Sequence, residues 1–253
     1  VHRKVGNRGF EKGFGQTPGK ISLAEFIQPD GRDHQLQLAM WWQEHNPGQI
    51  ASGEGDYEYS EAFGGLEGLK KGIQEAVDRG AKVSLYLCSR QAGDDSEIAQ
   101  FEDQAFYPKP NERANDWGSF NPCTHAYKWQ DLLVSKYARL ARDLPVAGLY
   151  LDTSAEVLLC ANPGHPHAPN LIDDQIRLLT KVRDAIKGAK PDAFFFTEFM
   201  GSEFFGQYID ACWIQTFANP HAAAFNNYDL DFARFVLPQV KFFEWGMNDR
   251  TFE

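Results

Sequence analysis

The chain has 253 residues, of which 43% are hydrophobic and 14% aromatic, and its formal net charge is −10. This length is enough for one large hydrophobic core, and α/β barrels of this size often form a single domain. The acidic balance, without a cluster of Lys and Arg, argues against nucleic acid as the main partner. The apolar runs are too short to cross a bilayer and no signal peptide opens the sequence, which indicates a soluble protein but no particular compartment or oligomeric state.

Short apolar runs alternate with amphipathic helical patterns after an irregular opening at residues 1–19. The predicted strands are residues 35–42, 82–88, 146–152, 193–197 and 208–214. The predicted helices are residues 66–79, 127–142 and 171–187, with a shorter one at 202–207. Residues 232–243 are ambiguous, because Pro238 argues against both a continuous helix and a central strand. Gly80 suits the position that ends the first helix.

The alternation of strands and helices predicts a parallel sheet with right-handed crossovers. A doubly wound nucleotide-binding fold is disfavoured, because no G-x-G-x-x-G motif follows the first strand and no Walker loop is present. Unusual polar residues collect where strands end, which favours a TIM-type (β/α)8 barrel. Such a barrel needs eight strands, so either some strands are too short to recognise or the chain forms a partial barrel.

Two carboxylates end apolar strands of the predicted sheet. Asp152 and Glu198 are each the first charge after such a strand, and they lie one βα unit apart. Neighbouring strands are about 4.8 Å apart, so the two carboxyl groups could be separated by about 5–5.5 Å, the spacing of a retaining glycosidase. In such an enzyme one carboxylate attacks the anomeric carbon and the other acts as general acid and then as base.

Two other functions fit the same residues. Acids at strand ends also hold Mg²⁺ in metal-dependent barrel enzymes, which usually need a third acid, and Glu44 is the only further candidate at a strand end. A barrel that binds carbohydrate without cleaving it could use Trp41, Trp42 and Trp117 as platforms for sugar rings.

Two loops at the strand ends add candidate substrate ligands. His165 and His167, in the loop after Asp152, offer donors for sugar hydroxyl groups, with metal binding by the H-P-H motif as the alternative. Arg90, Asp116 and Trp117 lie in a long polar loop that suits a lid or a subsite wall. The four cysteines include no C-x-x-C pair, so we predict neither a zinc site nor a disulfide framework, although one bridge between loops remains open. We predict no metal and no cofactor.

Several segments of the sequence resemble those of one protein group. The segments are FGGLEGLKKGIQEAVDRGAKVSLYLCSR, VAGLYLDTS, C-x-x-x-x-H-P-H and FFFTEF followed by Glu203. They are similar to an uncharacterised group of glycoside-hydrolase-like TIM barrels, distantly related to endo-α-N-acetylgalactosaminidases and to the α-galactosidase and α-glucosidase clan. The resemblance covers about residues 33–215.

The resemblance implies a retaining hydrolase of an α-linked carbohydrate, with Asp152 as nucleophile and Glu198 as general acid/base. It also implies that Arg90, His165 and Glu203 line the sugar pocket. The whole chain, residues 1–253, would then be one glycosidase-like barrel domain, either complete or lacking strands at its two ends. Residues 1–19 offer no candidate for the strand that precedes the first one in related barrels, and no closing strands are recognised near residue 253.

Overall fold

A computed structural model describes most of the chain. The described residues are 2–5, 34–38, 42–43, 55–61, 64–115, 119–154, 158–168, 171–198, 205–214 and 235–244. Within them lies a parallel sheet of seven strands, with described α-helices in three of the connections between successive strands. The predicted α/β class with a parallel sheet is therefore confirmed.

Each strand pairs in parallel with the next one along the chain, from the first to the seventh. The strands are β1 (His2–Val5), β2 (His34–Leu38), β3 (Ala81–Cys88), β4 (Gly148–Asp152), β5 (Phe194–Thr197), β6 (Ala211–Ile214) and β7 (Lys241–Glu244). Sequential parallel order brings the carboxyl ends of all strands to one edge of the sheet. Closure into an eight-stranded barrel stays a prediction.

The three α-helices that the structure describes match the predicted ones to within two residues. They are α1 (Gly65–Asp78), α2 (Tyr127–Asp143) and α3 (Leu171–Ala189). Gly80 follows α1 with a positive φ of 89°, the left-handed conformation expected where a helix ends. In the described part of the chain, no helix combines the length and the apolar character needed to span a bilayer.

The structure corrects the sequence-based prediction in three places. Strand β1 lies inside the opening stretch that we predicted to be irregular, and it pairs with β2 from Gln35 to Leu38. Strand β7 lies in the ambiguous segment, three residues after Pro238. Of the short helix predicted at residues 202–207, the described part is a 3-10 turn, Phe205–Gln207. Strands β1 and β7 therefore extend the predicted set of strands at its two ends.

The two faces of the central strands are buried in different clusters. One face of β3 and β4, with Leu85, Leu87 and Leu149, packs in the main core with the helices. The other face forms a smaller aromatic cluster of Tyr86, Cys88, Tyr150, Phe196 and Ala211, with Phe194 against it. Burial on both faces explains why these strands are nearly continuous hydrophobic runs.

Gly148 at the start of β4 makes room for this aromatic cluster. A Cβ atom built at this position would lie 2.7 Å from the ring of Phe194, the partner of Gly148 on β5. Protein interiors have no space for such an overlap. A glycine is therefore needed at this position for the Phe194 ring to lie over β4.

The segment between β3 and α2 is folded where it is described, rather than an extended polar loop. It contains two 3-10 helices, Ile98–Gln100 and Glu102–Gln104. Isolated antiparallel bridges join Ala92 to Phe120 and Ala105 to Pro122. This segment therefore forms a cap close to the carboxyl end of β3.

Candidate active site

Asp152 is the last residue of β4 and extends the aromatic face of the sheet. Alternate residues of a strand share a face, and Asp152 comes two residues after Tyr150 and pairs in register with Cys88, both of the aromatic cluster. The Asp152 side chain is half-buried. The strand thus presents this carboxylate at the edge of the sheet rather than to the helices.

Two tyrosine hydroxyl groups hold the carboxylate of Asp152. The hydroxyl of Tyr86, on β3, donates a hydrogen bond of 2.5 Å to Oδ2. The hydroxyl of Tyr150 donates a bond of 2.8 Å to Oδ1. Because each carboxylate oxygen has its own donor, the orientation of Asp152 is fixed on both sides.

Glu198 directly follows β5, the strand next to β4. The last pair between the two strands joins Leu151 to Thr197, so Asp152 and Glu198 each come immediately after that pair. Burial raises the pKa of Tyr150 well above its ordinary value, and the negative charges of Asp152 and Glu198 raise it further. Both carboxylates are therefore close enough to act on the same phenol.

The backbone around Asp152 is held firmly. Its carbonyl oxygen accepts bonds from the backbone N–H of Ser89, at 3.1 Å, and from the Ser89 hydroxyl, at 2.9 Å. The next residue, Thr153, has a positive φ of 54°. A β-branched residue rarely adopts this conformation, and such strain is concentrated at functional sites.

Buried side chains support the ends of β3 and β4 from the helix side. The Tyr57 hydroxyl donates to the carbonyl of Cys88 at 2.7 Å, and the Trp129 indole donates to the carbonyl of Ser89 at 2.7 Å. The Tyr137 hydroxyl donates to the carbonyl of Tyr150 at 2.8 Å. These bonds join buried side chains to main-chain carbonyls at or near the ends of the two strands.

Arg90 lies beside this edge, one residue after Ser89. The side-chain amide of Asn121 donates to its carbonyl oxygen at 2.9 Å, and its guanidinium carbon lies 5.5 Å from the centre of the Phe106 ring. The side chain is half-buried. The role of Arg90 in sugar binding stays a prediction.

The structure contradicts three predicted sugar contacts. Trp42 is only 1% exposed, and its indole donates to the backbone carbonyl of Tyr86, so it is a core residue rather than a platform. His165 is 6% exposed, and both of its ring nitrogens face protein atoms. The ring nitrogens of His167 are also buried. Trp42 and His165 therefore offer neither a donor nor a surface to a sugar at this edge, and the ring nitrogens of His167 offer no donor.

Four predicted site residues, Trp41, Asp116, Trp117 and Glu203, lie outside the described residues, as does Glu44. The sequence analysis, in turn, did not identify Tyr86 and Tyr150 as partners of Asp152. A signal for them exists, because the two strands share the pattern L-Y-L followed by Cys88 in one and Asp152 in the other. The register places those two tyrosines opposite each other.

No protein-family model matches the chain, and no curated protein matches it. Solved structures do share its fold. The GH36 α-galactosidase from Geobacillus stearothermophilus aligns with a TM-score of 0.58 and 15% identity, over 85% of this chain and 30% of its own. The α-N-acetylgalactosaminidase from Bifidobacterium bifidum aligns with a TM-score of 0.55 and 14% identity, over 72% of this chain and 29% of its own.

The structural neighbours are glycoside hydrolases. A further one, an Anoxybacillus α-amylase, aligns with a TM-score of 0.50 and 17% identity, over 72% of this chain and 40% of its own. The distant resemblance predicted from the sequence is thereby confirmed for the fold. The chain spans well under half the length of each of these enzymes.

Proposed function

We propose that the chain carries the catalytic centre of a retaining glycoside hydrolase that acts on an α-linked sugar. Asp152 is the nucleophile and Glu198 is the general acid/base. The observation that supports this most directly is that both carboxylates come immediately after the last residue pair of two neighbouring parallel strands, and that both charges act on Tyr150. The glycoside-hydrolase fold of the structural neighbours adds to it.

The reaction has two steps. In the first, an Asp152 carboxylate oxygen forms a bond to the anomeric carbon while the bond from that carbon to the leaving oxygen breaks, and Glu198 gives its proton to that oxygen. In the second, Glu198 takes a proton from water, the water oxygen bonds to the anomeric carbon, and Asp152 leaves. Two inversions restore the original configuration.

The tyrosine hydroxyl groups contribute by positioning the nucleophile. Tyr86 and Tyr150 hold the two oxygens of Asp152 from different strands, which limits rotation of the carboxylate. An enzyme gains rate when the reacting groups are held in the geometry of attack. Arg90, Trp41, Asp116, Trp117 and Glu203 are proposed to contact the sugar, and the aryl α-glycosides of galactose, N-acetylgalactosamine and glucose are the substrates to test.

The proposal is tested by comparing Asp152→Asn and Glu198→Ala with the wild type on substrates of different leaving groups. Loss of the nucleophile is expected to reduce kcat roughly 10⁴-fold or more on every substrate. Loss of the general acid is expected to cost about 10²- to 10⁴-fold on poor leaving groups, but little in the first step on dinitrophenyl glycosides, which need no proton. Added azide is expected to accelerate Glu198→Ala and to yield the α-glycosyl azide.

The matched control is Asp173→Asn, which changes an exposed carboxylate in the first turn of α3. It is expected to retain wild-type kinetics. Unchanged turnover in Asp152→Asn would remove Asp152 from the nucleophile role. Saturable sugar binding without hydrolysis in the wild type would instead indicate a carbohydrate-binding protein. Loss of turnover on chelation at a temperature where the chain stays folded would indicate a metal-dependent enzyme.

A further inference from the structure

A second cluster of reactive side chains lies away from the carboxylate pair, where two loops meet. Cys123 comes from the loop before α2, and Cys160 and His165 come from the loop between β4 and α3. One ligand atom from each residue lies within 4.8 Å of the other two, and the Cys160 Sγ and His165 Nε2 atoms are 3.9 Å apart. With zinc-to-sulfur bonds of about 2.3 Å and zinc-to-nitrogen bonds of about 2.0–2.1 Å, tetrahedral ligands sit about 3.6–3.8 Å from one another. The observed spacing is close to that.

His165 is in the state that a metal-ligating histidine adopts. Its Nδ1 atom makes a short hydrogen bond with the backbone carbonyl oxygen of Asp103. That bond requires a proton on Nδ1 and leaves Nε2, which faces Cys160, with a free lone pair. A hydrogen bond from the second ring nitrogen to a backbone carbonyl is the usual support for histidine at a metal.

The sulfur of Cys160 also has a suitable environment. The backbone N–H of Tyr107 points at it, with a nitrogen-to-sulfur distance of 3.4 Å. An N–H donor favours the charged thiolate, the form of cysteine that binds metals. Cys123 is 1% exposed and Cys160 is half-buried, so one sulfur is shielded from water and the other is partly shielded.

His167 supplies an unexplained buried group at the same place. Both of its ring nitrogens are buried and have no hydrogen-bond partner among the described residues. Its ring centre lies 4.5 Å from that of His165. A buried imidazole without any partner costs the desolvation of its polar nitrogens. Coordination of a metal ion by one of these nitrogens would remove part of that cost.

The loop that carries Cys160, His165 and His167 is held against the cap by hydrogen bonds. The amide nitrogen of Asn162 donates to the carbonyls of Ala105 and Glu102, at 2.9 and 3.0 Å. Its amide oxygen accepts from the N–H of Gly164 at 2.8 Å, and a Cβ at Gly164 would lie 2.9 Å from the Cα of Asp103. The backbone is thus positioned before any ion binds, which favours a selective site.

We propose that Cys123, Cys160 and His165 bind a zinc ion, and that the side chain of the adjacent His167 turns to become the fourth ligand when the ion binds. Each thiol loses its proton on binding, so two protons are released for each ion bound. The ion ties the loop that follows Asp152 to the cap between β3 and α2, and its role is structural. The sequence analysis predicted no metal, because the two cysteines of this site are far apart in the sequence and form no C-x-x-C motif.

A disulfide between Cys123 and Cys160 is the competing arrangement of the same atoms. Oxidation would join the two sulfurs and lower the mass by two hydrogens, which removes both thiolate ligands. The two arrangements therefore differ in mass, in free thiols and in metal content.

The experiment uses the wild-type chain, purified with a reductant, stripped with a chelator and then titrated with zinc or cobalt(II). We expect one zinc per chain by metal analysis and native mass spectrometry. With cobalt(II) we expect thiolate-to-metal charge-transfer bands together with the visible bands of a tetrahedral ion. Zinc is expected to raise the Tm, and a chelator to lower it again.

Variants locate the site. Cys123→Ser and Cys160→Ser are expected to lose the bound ion and the charge-transfer bands, whereas Cys212→Ser, which removes a buried thiol elsewhere, keeps both. His167→Ala is expected to weaken zinc binding while the two thiolate bands remain. The wild-type cobalt spectrum decides the matter even if a cysteine variant does not fold. Absence of charge-transfer bands, a mass that shows the disulfide in the purified protein, or zinc binding that survives both cysteine changes would overturn the proposal.

Discussion

The sharpest prediction concerns Tyr150→Phe, which removes one hydroxyl group and keeps the ring. The ring remains packed between Tyr86 and Phe196, at centroid distances of 5.5 and 4.9 Å. What is lost is the 2.8 Å hydrogen bond to Oδ1 of Asp152. A hydrogen bond to a charged group is worth about 1.5–3 kcal/mol, and about 1.4 kcal/mol corresponds to a factor of ten in rate. We therefore expect kcat/KM on an aryl α-glycoside to fall about tenfold to a hundredfold.

The matched control is Tyr137→Phe. Tyr137 is equally buried, and its hydroxyl donates at 2.8 Å to the backbone carbonyl of Tyr150 on the same strand, but from the helix side. It should cost about 1 kcal/mol of unfolding free energy while kcat/KM per folded molecule stays at the wild-type value. Tyr86→Phe combined with Tyr150→Phe should lose more than the product of the single losses, because each hydroxyl partly replaces the other. Equal kcat/KM in Tyr150→Phe, Tyr137→Phe and the wild type would refute the positioning role.

Three further predictions concern the frame around the site. Gly148→Ala should destabilise the fold by about 1–3 kcal/mol in denaturant unfolding, because its Cβ would overlap the Phe194 ring. The control Gly188→Ala should not destabilise the fold, because no atom lies within 4 Å of a Cβ at that position. Equal effects of the two changes would contradict the packing account. Burial raises the pKa of Cys212 to about 12. At pH 8 this thiol should therefore react with iodoacetamide roughly a thousandfold more slowly than an ordinary thiol, which peptide mass spectrometry can measure. Labelling at the ordinary rate would contradict this prediction. Partial burial opposes the charge of Glu58, but the Arg and Lys side chains of α2 outweigh it and lower the pKa of this carboxyl group. Glu58→Gln should therefore cost less than about 1 kcal/mol of unfolding free energy at pH 7. That cost should vanish as the pH falls through the lowered pKa, and a cost that grows in acid would contradict the assignment.

The central strands and the helices were predictable because burial leaves a pattern in the sequence. Strands buried on both faces are continuous apolar runs, and helices with one buried face repeat apolar residues every three or four positions. Strand β1 has no such pattern: its residues are His2, Arg3, Lys4 and Val5, and it is recognised by its backbone pairing with β2. Main-chain hydrogen bonds depend little on side-chain type, so composition could not reveal it.

The candidate site shows the same division. Asp152 and Glu198 could be picked out because a charge directly after a buried strand is conspicuous. The bond from Tyr86 to Asp152 was not predicted, because the shared L-Y-L pattern becomes a contact only through the register between strands that are far apart in the sequence. His165 was assigned to sugar binding because sequence alone does not tell that Cys123 lies against its loop.

The most direct test of the central claim is to trap the covalent intermediate. A 5-fluoro-α-glycosyl fluoride forms the glycosyl-enzyme with retaining α-glycosidases but slows its hydrolysis, so the modified peptide can be identified by mass spectrometry. We predict a single adduct on the carboxylate of Asp152, absent from Asp152→Asn. An adduct on Glu198, or complete hydrolysis of an α-glycoside to the inverted sugar with no adduct, would contradict the assignment.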